Sequence, residues 1–283
     1  TQELGIDIDK LWVTVYEEDD EAFDLWAQIP TLDPARIQRL GAKDNFWSMG
    51  DTGPCGPCSE IFYDHGPELG EDGGPATESD RYVEIWNLVF MQFDRAADGT
   101  MTPLPKPSID TGMGLERIAA VMQGKVNNYD TDLFTPIIEC IANKASIEYH
   151  KDPDHDVALR VIADHSRAAA FLIADGIYPD NEGRGYVLRR VMRRAIRYGR
   201  MIGLTDPFLI ESTAKVVEVM GDGNPELVAG AQTIHRIVLE EEKRFGRTIH
   251  QGTKRLDEEL GRLAEASKNE LDGRIAFELY DTH

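Results

Sequence analysis

The sequence has no long uncharged apolar run, and it has few cysteines and few basic residues for its size. Its 283 residues include three cysteines, and 30 Lys and Arg stand against 51 Asp and Glu, a formal net charge of −21. Three cysteines provide no disulfide framework and suit a reducing compartment, so we expect a cytoplasmic protein. Without an apolar run of about 18 residues or a basic segment leading into one, neither a membrane span nor a secretion signal is predicted.

The basic residues that are present concentrate in one segment. Seven arginines and no acidic residue lie between positions 184 and 200, namely Arg184, Arg189, Arg190, Arg193, Arg194, Arg197 and Arg200. An acidic protein repels nucleic acid unless its cations are gathered in one place, and here they are gathered. Helical spacing turns Leu188, Met192 and Ala195 inward. It also predicts an exposed phosphate-binding stripe of Arg189, Arg193 and Arg197, with Arg190 and Arg194 beside it. The alternative is that the protein's own carboxylates neutralise these arginines.

Two kinds of pattern divide the chain. Residues 1–125 contain short apolar or alternating runs, such as 11–16 and 83–93, which predict strands, and Asp98-Gly99 predicts a hairpin turn. From Asp130 onward apolar residues recur at helical spacing, including one long helix from Glu226 to Ala266. An α+β protein with two domains, 1–125 and 126–283, is therefore expected. The long helix either packs against the helical domain or associates with another copy of itself.

A glycine-containing segment precedes one of the predicted helices. Gly112 and Gly114 come before apolar residues at i, i+3, i+4 and i+7 (Leu115, Ile118, Ala119 and Met122), which predicts a buried helix that starts near Gly114 and ends by Gly124. Glycines at a helix start let a flat ligand approach the backbone, and the helix dipole favours phosphate there. Arg117 could add a charge-assisted contact to a terminal phosphate. The alternative is a simple turn before a core helix, with Arg117 paired to a surface acid.

The same segment resembles a known enzyme family. Gly112-Met113-Gly114-Leu115-Glu116-Arg117 resembles motif 3 of the class II aminoacyl-tRNA synthetases. The strings at 44–60, 84–93, 160–165 and 181–190 extend the resemblance, nearly end to end, to the alanyl-tRNA synthetases. The resemblance implies the C-terminal part of a class II antiparallel-sheet catalytic domain, followed by an all-helical tRNA-recognition domain. Motifs 1 and 2 are expected before Thr1, so we expect this chain to be a segment of a longer protein.

The resemblance also implies roles for residues of the first domain. Arg117 is expected to hold an ATP phosphate, with Gly112 and Gly114 in the same ATP site, and Asp110 is expected to hold the ammonium group of alanine. Arg117 and Asp110 are thus the predicted catalytic residues. Trp47, with Asp110 and Gly112, would bound the alanine pocket. Glu84 and Asn87 would face ATP or its Mg²⁺, since hard cations take oxygen ligands; the alternative is a strand with a solvated polar face.

In the helical domain the implied partner is tRNA-Ala. The predicted contacts come from Asn181, Arg184, Arg190, Arg193 and Arg194, and the position of Arg194 matches an arginine that reads a wobble pair in the acceptor stem. A neighbouring recognition position that is often asparagine in the family is Gly183 here. Asp164, His165 and Arg167 read as a buried polar cluster that braces the helices.

The implied ligands are alanine, ATP with Mg²⁺, and tRNA-Ala, with no membrane. Cys55 and Cys58 form a Cys-x-x-Cys pair, but a closed zinc site needs four ligands, so no metal site is predicted in this segment. Zinc is expected only in an editing domain outside this chain. The reaction implied is ATP-dependent attachment of alanine to tRNA through alanyl-adenylate. The alternative is a tRNA-binding module with an inactive partial adenylation site.

Overall fold

A sheet occupies the first part of the chain and helices occupy the rest, which confirms the predicted α+β class. The computed structural model describes residues 1–265 and 270–282. The chain divides between Thr131 and Asp132 into two compact units, which we call the sheet unit and the helical unit. Each has its own buried core.

The sheet unit is built on six strands that the described residues form in one sheet. They are β1 (Leu11–Tyr16), β2 (Ile37–Leu40), β3 (Phe46–Ser48), β4 (Gly53–Asp64), β5 (Tyr82–Arg95) and β6 (Met101–Met113). The strand order is β2-β1-β4-β5-β6, and β3 pairs with β4. β1 and β2 are parallel, and the other pairs are antiparallel. The predicted hairpin turn joins β5 to β6, with Gly99 at a φ of 85° and the Ala96 amide donating to the Thr100 carbonyl at 2.9 Å.

The core of the sheet unit lies between β1 and the first helix. β1 alternates, so Val13 and Val15 face this core, while the buried Thr14 faces the other side of the sheet. Helix α1 (Asp20–Ala27) covers the core with Ala22, and Asp19 caps it by accepting the Ala22 amide at 2.9 Å. The short helix α2 (Ala42–Asn45) leads into β3.

The helix after Gly114 begins where predicted, but its predicted burial is wrong. Helix α3 spans Leu115–Met122, and Gly124 follows it at a φ of 63°. Leu115 and Met122 are 62% and 50% exposed, and the residue it buries is Ala120. Within the described residues α3 packs mainly on β5 and on the turn at Asn128–Asp130, so only part of its apolar face is covered.

The helical unit contains six α-helices among its described residues. They are α4 (Thr135–Ala145), α5 (Pro153–Ala174), α6 (Gly183–Met201), α7 (Leu209–Met220), α8 (Pro225–Glu265) and α9 (Gly273–Thr282). The predicted long helix is α8, and its predicted last residue, Ala266, lies outside the described residues. α8 packs against α5, α6 and α7 with buried residues such as Leu227, Ile234 and Val238, which confirms an amphipathic arm on the helical unit. No helix in the described ranges is long and apolar enough to cross a bilayer.

Candidate functional site

Four polar or open positions form a row on one face of the strands β4, β5 and β6. Glu60 is the register partner of Asn87, and Asn87 is the register partner of Gly112. Two residues along, Val89 of β5 is paired with Asp110 of β6. Because directly opposed residues share a face and side chains alternate along a strand, Asp110, Gly112, Asn87 and Glu60 all lie on one face of the sheet. The register therefore brings together residues that the sequence places up to 52 positions apart.

Glu60 and Asn87 form a polar pair within this row. The Asn87 side-chain amide donates to Glu60 Oε1 at 2.9 Å. Burial, reinforced by the negative charges of Glu84 and Asp44, raises the pKa of the Glu60 carboxyl to about 7. Asn87 Oδ1 is buried and has no hydrogen-bond partner among the described residues. The sequence analysis assigned no role to Glu60. Glu60 lies beside Asn87 because of the register between β4 and β5, and this register cannot be read from the sequence.

Arg117 reaches back from the first turn of α3 to β5. Its Nη1 donates to both the backbone oxygen and the carboxylate of Glu84, each at 2.8 Å. The Arg117 side chain is 44% exposed and that of Glu84 is 31% exposed, so the pair lies at the surface of the sheet unit. Arg117 is thus paired with an acid, as the second interpretation of the sequence has it. The acid is the residue that the resemblance places near ATP.

The two glycines of the segment occupy different surroundings. A Cβ at Gly112 would meet no protein atom within 4 Å. A Cβ at Gly114 would lie 3.3 Å from Arg117 Cδ, so Gly114 leaves room for the arginine to fold back over the helix start. Gly114 caps α3 without any side-chain hydrogen bond. Gly112 therefore leaves open space on the face that carries Asp110 and Asn87.

Trp47 and the cysteines flank this row through β3 and β4. Trp47 is the register partner of Gly56 and is 36% exposed. A Cβ at Gly56 would lie 2.0 Å from the Phe90 carbonyl oxygen, so β4 approaches β5 too closely there for any side chain. Cys55 and Cys58 are buried, and burial, with the nearby Glu60 charge, raises the pKa of the Cys58 thiol to about 12. Across the described residues no group of three or more His, Cys, Asp or Glu side chains is placed to hold a metal ion.

The helical unit carries a separate basic site. A cavity of about 500 Å³, which we call the arginine pocket, is lined from α6 by Arg190, Arg193, Arg194 and Arg197, and from α5 and α8 by His165 and Phe245 among others. The inward residues predicted for α6, which are Leu188, Met192 and Ala195, are fully buried. The predicted inward face of α6 is therefore confirmed. The four arginines project from other positions of the same helix onto one concave surface.

One arginine of the pocket is held in place by α8. Arg193 Nε donates to Glu241 Oε1 at 2.9 Å, and its guanidinium lies 4.8 Å from the centre of the Phe245 ring. Glu241 is 2% exposed and also lies 3.4 Å from Arg244. An internal carboxylate thus neutralises part of the basic charge, as the alternative interpretation expected. The exposed Arg190, Arg194 and Arg197 have no such ion pair among the described residues.

The predicted arginine stripe needs one correction. Arg189 does not line the arginine pocket. Its guanidinium donates to the side-chain oxygen of Asn181 and lies 5.5 Å from the Tyr186 ring. The angular step along α6 turns Arg189 away from the surface shared by Arg190, Arg193, Arg194 and Arg197. Asn181, predicted to contact RNA, is therefore engaged with Arg189 at the start of α6.

Three further positions of the helical unit are named in the predictions. Arg184 is exposed in the first turn of α6, and Gly183 has a φ of 56°, a conformation that glycine and asparagine adopt most easily.

His165 is hydrogen-bonded to Asp164 at 2.8 Å, as expected for a residue that braces the helices, and its ring also lines the arginine pocket. Its place there depends on how α5 packs on α6, for which the sequence carries no local signal.

Residues 1–283 match the family described as tRNA synthetases class II (A). The chain belongs to the class II tRNA synthetases. It is similar to the proteins named Alanine--tRNA ligase of Acidithiobacillus ferridurans (56% identical over 284 residues), Lawsonia intracellularis (54% over 286) and Hydrogenovibrio crunogenus (55% over 285). Each alignment covers 100% of this chain and 32% of the relative, so this class II tRNA synthetase chain spans about a third of their length.

Proposed function

We propose that the protein containing this chain attaches alanine to tRNA-Ala at the expense of ATP. The sheet unit supplies part of an adenylate site, and the helical unit binds the tRNA acceptor stem. The observation that carries the proposal is the row Asp110, Gly112, Asn87 beside Arg117, in a chain that aligns over its whole length with proteins named Alanine--tRNA ligase. That row combines an anion for an ammonium group, open space for a flat ligand and a cation for phosphate.

The proposed reaction has two steps. The carboxylate of alanine attacks the α-phosphate of ATP, the bond to the β-phosphate breaks, and alanyl-adenylate forms as pyrophosphate leaves. A hydroxyl of the terminal adenosine of tRNA then attacks the alanyl carbonyl carbon, and AMP leaves. Neither step needs a protein nucleophile, so the contribution of the protein is to position the reactants and to stabilise charge.

In this proposal Asp110 and Trp47 recognise alanine. Asp110 is exposed on the sheet face, and its carboxylate can pair with the ammonium group of the amino acid. Three strand spacings separate β3, which carries Trp47, from β6, and together they amount to roughly 14 Å. An indole on one of these strands and a carboxylate on the other would leave room between them for one small amino acid.

Arg117, Glu84 and Asn87 serve ATP in the same proposal. An incoming phosphate competes with the Glu84 carboxylate for Arg117, and a released Glu84 becomes available to a cation. The buried Asn87 Oδ1 without a partner, close to the Glu60 and Glu84 carboxylates, is an oxygen set that fits Mg²⁺. When bound, Mg²⁺ would offset phosphate charge. Glu84 and Asn87 would hold it together with phosphate oxygens of ATP.

The arginine pocket is proposed to hold the acceptor stem. Its exposed cations suit phosphates, and Arg194 is the residue to which the family resemblance assigns readout of the wobble pair. Arg190, Arg193 and Arg184 would contact the backbone around it, beside Asn181. Because Arg193 is fixed by Glu241 and Phe245, it is pre-ordered for a contact that a free side chain would lose entropy to make.

The experiment is a binding titration on this chain. tRNA-Ala and a version whose acceptor wobble pair is replaced by a Watson–Crick pair are titrated against the wild-type chain and Arg194→Ala over a salt series. We expect the wild-type chain to prefer tRNA-Ala and Arg194→Ala to lose that preference, a change of about 1–3 kcal/mol in discrimination. Equal binding of both RNAs by the wild-type chain would contradict the proposal for the helical unit.

A further inference from the structure

A second cavity continues the basic surface of the helical unit beyond the arginine pocket. It has a volume of about 320 Å³, with Arg200 of α6 and Lys243, Arg247 and His250 of α8 among its lining residues. Arg200 follows Arg197 by one helical turn on α6, so these two arginines are neighbours on the helix surface, one in each cavity. On α8, Lys243 and Arg247 lie two residues before and after Phe245 and therefore on the other side of that helix. The two cavities are thus linked through Arg197 and Arg200.

The cations of this second cavity are available to a ligand. Arg200, Lys243 and Arg247 are exposed, and none of the three has a carboxylate within 4.0 Å in the part of the chain that the structure describes. Two acids belong to the cavity. Asp206 lies exposed on its rim, while Glu242 is buried and accepts the amides of Phe208 and Leu209 at 2.9 and 3.1 Å. Glu242 is thus engaged by the start of α7, and three exposed cations face one exposed acid.

Gly246 of α8 leaves room for the side chain of Arg200, which extends from α6 to α8. A Cβ at Gly246 of α8 would lie 3.7 Å from Arg200 Nη2, so the guanidinium from α6 lies directly over the glycine. Glycine in a helix interior is less favourable than alanine. The absence of a side chain at Gly246 leaves room for Arg200, which lines the second cavity together with Lys243 and Arg247.

We propose that Arg200, Lys243 and Arg247 bind phosphates of the same RNA that occupies the arginine pocket, so that the RNA backbone continues from Arg197 to Arg200 and into the second cavity, which we call the groove. This inference rests on the proposed RNA binding of the helical unit and extends its contact surface. Three exposed cations in a shallow cavity match consecutive negative charges better than they match a neutral peptide or an apolar ligand. Since phosphates carry no base information, these residues add affinity for RNA without selecting its sequence.

The test uses the whole chain and three single variants, Arg200→Gln, Lys243→Gln and Arg247→Gln. Arg236→Gln is the matched control, since Arg236 is an exposed cation of the same helix α8 that pairs with Glu240 at 3.5 Å. Binding of tRNA-Ala and of the Watson–Crick version is measured between about 50 and 200 mM salt. Each groove variant should weaken binding of both RNAs by about three- to tenfold and reduce the salt slope by about one, while the control behaves as wild type.

The outcomes separate this inference from the proposed function. If Arg194→Ala abolishes the preference for tRNA-Ala but all three groove variants bind with the wild-type slope, the proposed function stands and the groove inference is overturned. If the wild-type chain binds neither RNA, both fail. Far-UV circular dichroism checks that each variant folds, and the exposure of the substituted side chains leads us to expect that all of them do.

Discussion

At the residue scale, a substitution at Gly112 tests whether the open space beside this residue is needed for folding or for a ligand. We predict that Gly112→Ala leaves the free energy of unfolding within about 0.5 kcal/mol of wild type, because the new methyl group meets no protein atom within 4 Å and the residue has no positive φ. The same methyl group would project onto the face of Asp110 and Asn87. Binding of a non-hydrolysable alanyl-adenylate analogue, measured by calorimetry, should weaken at least tenfold.

The control for this substitution is Gly223→Ala in the helical unit. Gly223 is equally open and also lacks a positive φ, so both variants change one unhindered glycine. Analogue binding by Gly223→Ala should match wild type. If Gly112→Ala bound the analogue as tightly as Gly223→Ala does, the assignment of Gly112 to the adenylate site would be wrong and the segment would be a turn without a ligand role.

At the scale of elements, the helix α8 caps a neighbour that is distant in sequence. Glu242 accepts the amides of Phe208 and Leu209 at the start of α7, and α7 has no capping hydrogen bond from its own N-cap side chain. We predict that Glu242→Ala lowers the free energy of unfolding by about 1–3 kcal/mol, because two buried amides lose their acceptor. Urea denaturation followed by far-UV circular dichroism measures the change.

Glu240→Ala is the matched control for the cap. Glu240 lies on the same helix, two residues earlier, and its surface ion pair with Arg236 at 3.5 Å is worth well under 1 kcal/mol. Loss of equal stability in the two variants would show that the effect comes from helix propensity or charge rather than from the capped amides.

Elements with a complete local pattern could be predicted from the sequence. β1 and the buried face of α6 are set by their own alternation or helical period, and the turn at Gly99 by its glycine. The burial of α3 could not, since a helix pattern shows which side is apolar but not whether another element covers it. Nor could the roles of Glu60 and Glu242, because strand register and helix packing join residues that are 27 and 34 positions apart.

At the scale of the whole molecule, charge sets how stability depends on pH. A net charge of −21 means that carboxylates repel one another at neutral pH, and this repulsion falls as they protonate. Glu60 adds to the same trend because its folded pKa, about 7, lies above the ordinary value near 4.3. Asp64 opposes it at low pH, because hydrogen bonds from Arg81, at 2.6 and 2.7 Å, lower the pKa of its carboxyl.

Together these pKa shifts predict that the protein is most stable at a pH below neutrality. Between about pH 4.3 and pH 7 the folded state holds a proton on Glu60 that the unfolded state releases, so stability falls as pH rises through this window. Below the unfolded pKa of Asp64, about 3.9, the folded state takes up fewer protons than the unfolded state, so stability is lost again as pH falls. Urea denaturation of the wild-type chain should therefore show its highest midpoint between about pH 4 and pH 5.

Glu60→Gln isolates the contribution of Glu60 to this profile. The variant keeps the acceptor for Asn87 but carries no charge, so it should be more stable than wild type at pH 8 by about 1–2 kcal/mol, a figure reduced for the partial exposure of Glu60, and equal to it near pH 4. Glu71→Gln, which removes one exposed carboxylate from the same unit, should shift stability little at either pH. Parallel pH profiles for wild type and Glu60→Gln would mean that Glu60 is ionised in the folded chain at neutral pH, and the crowding of Glu60, Glu84 and Asp44 would then have to be relieved by solvent.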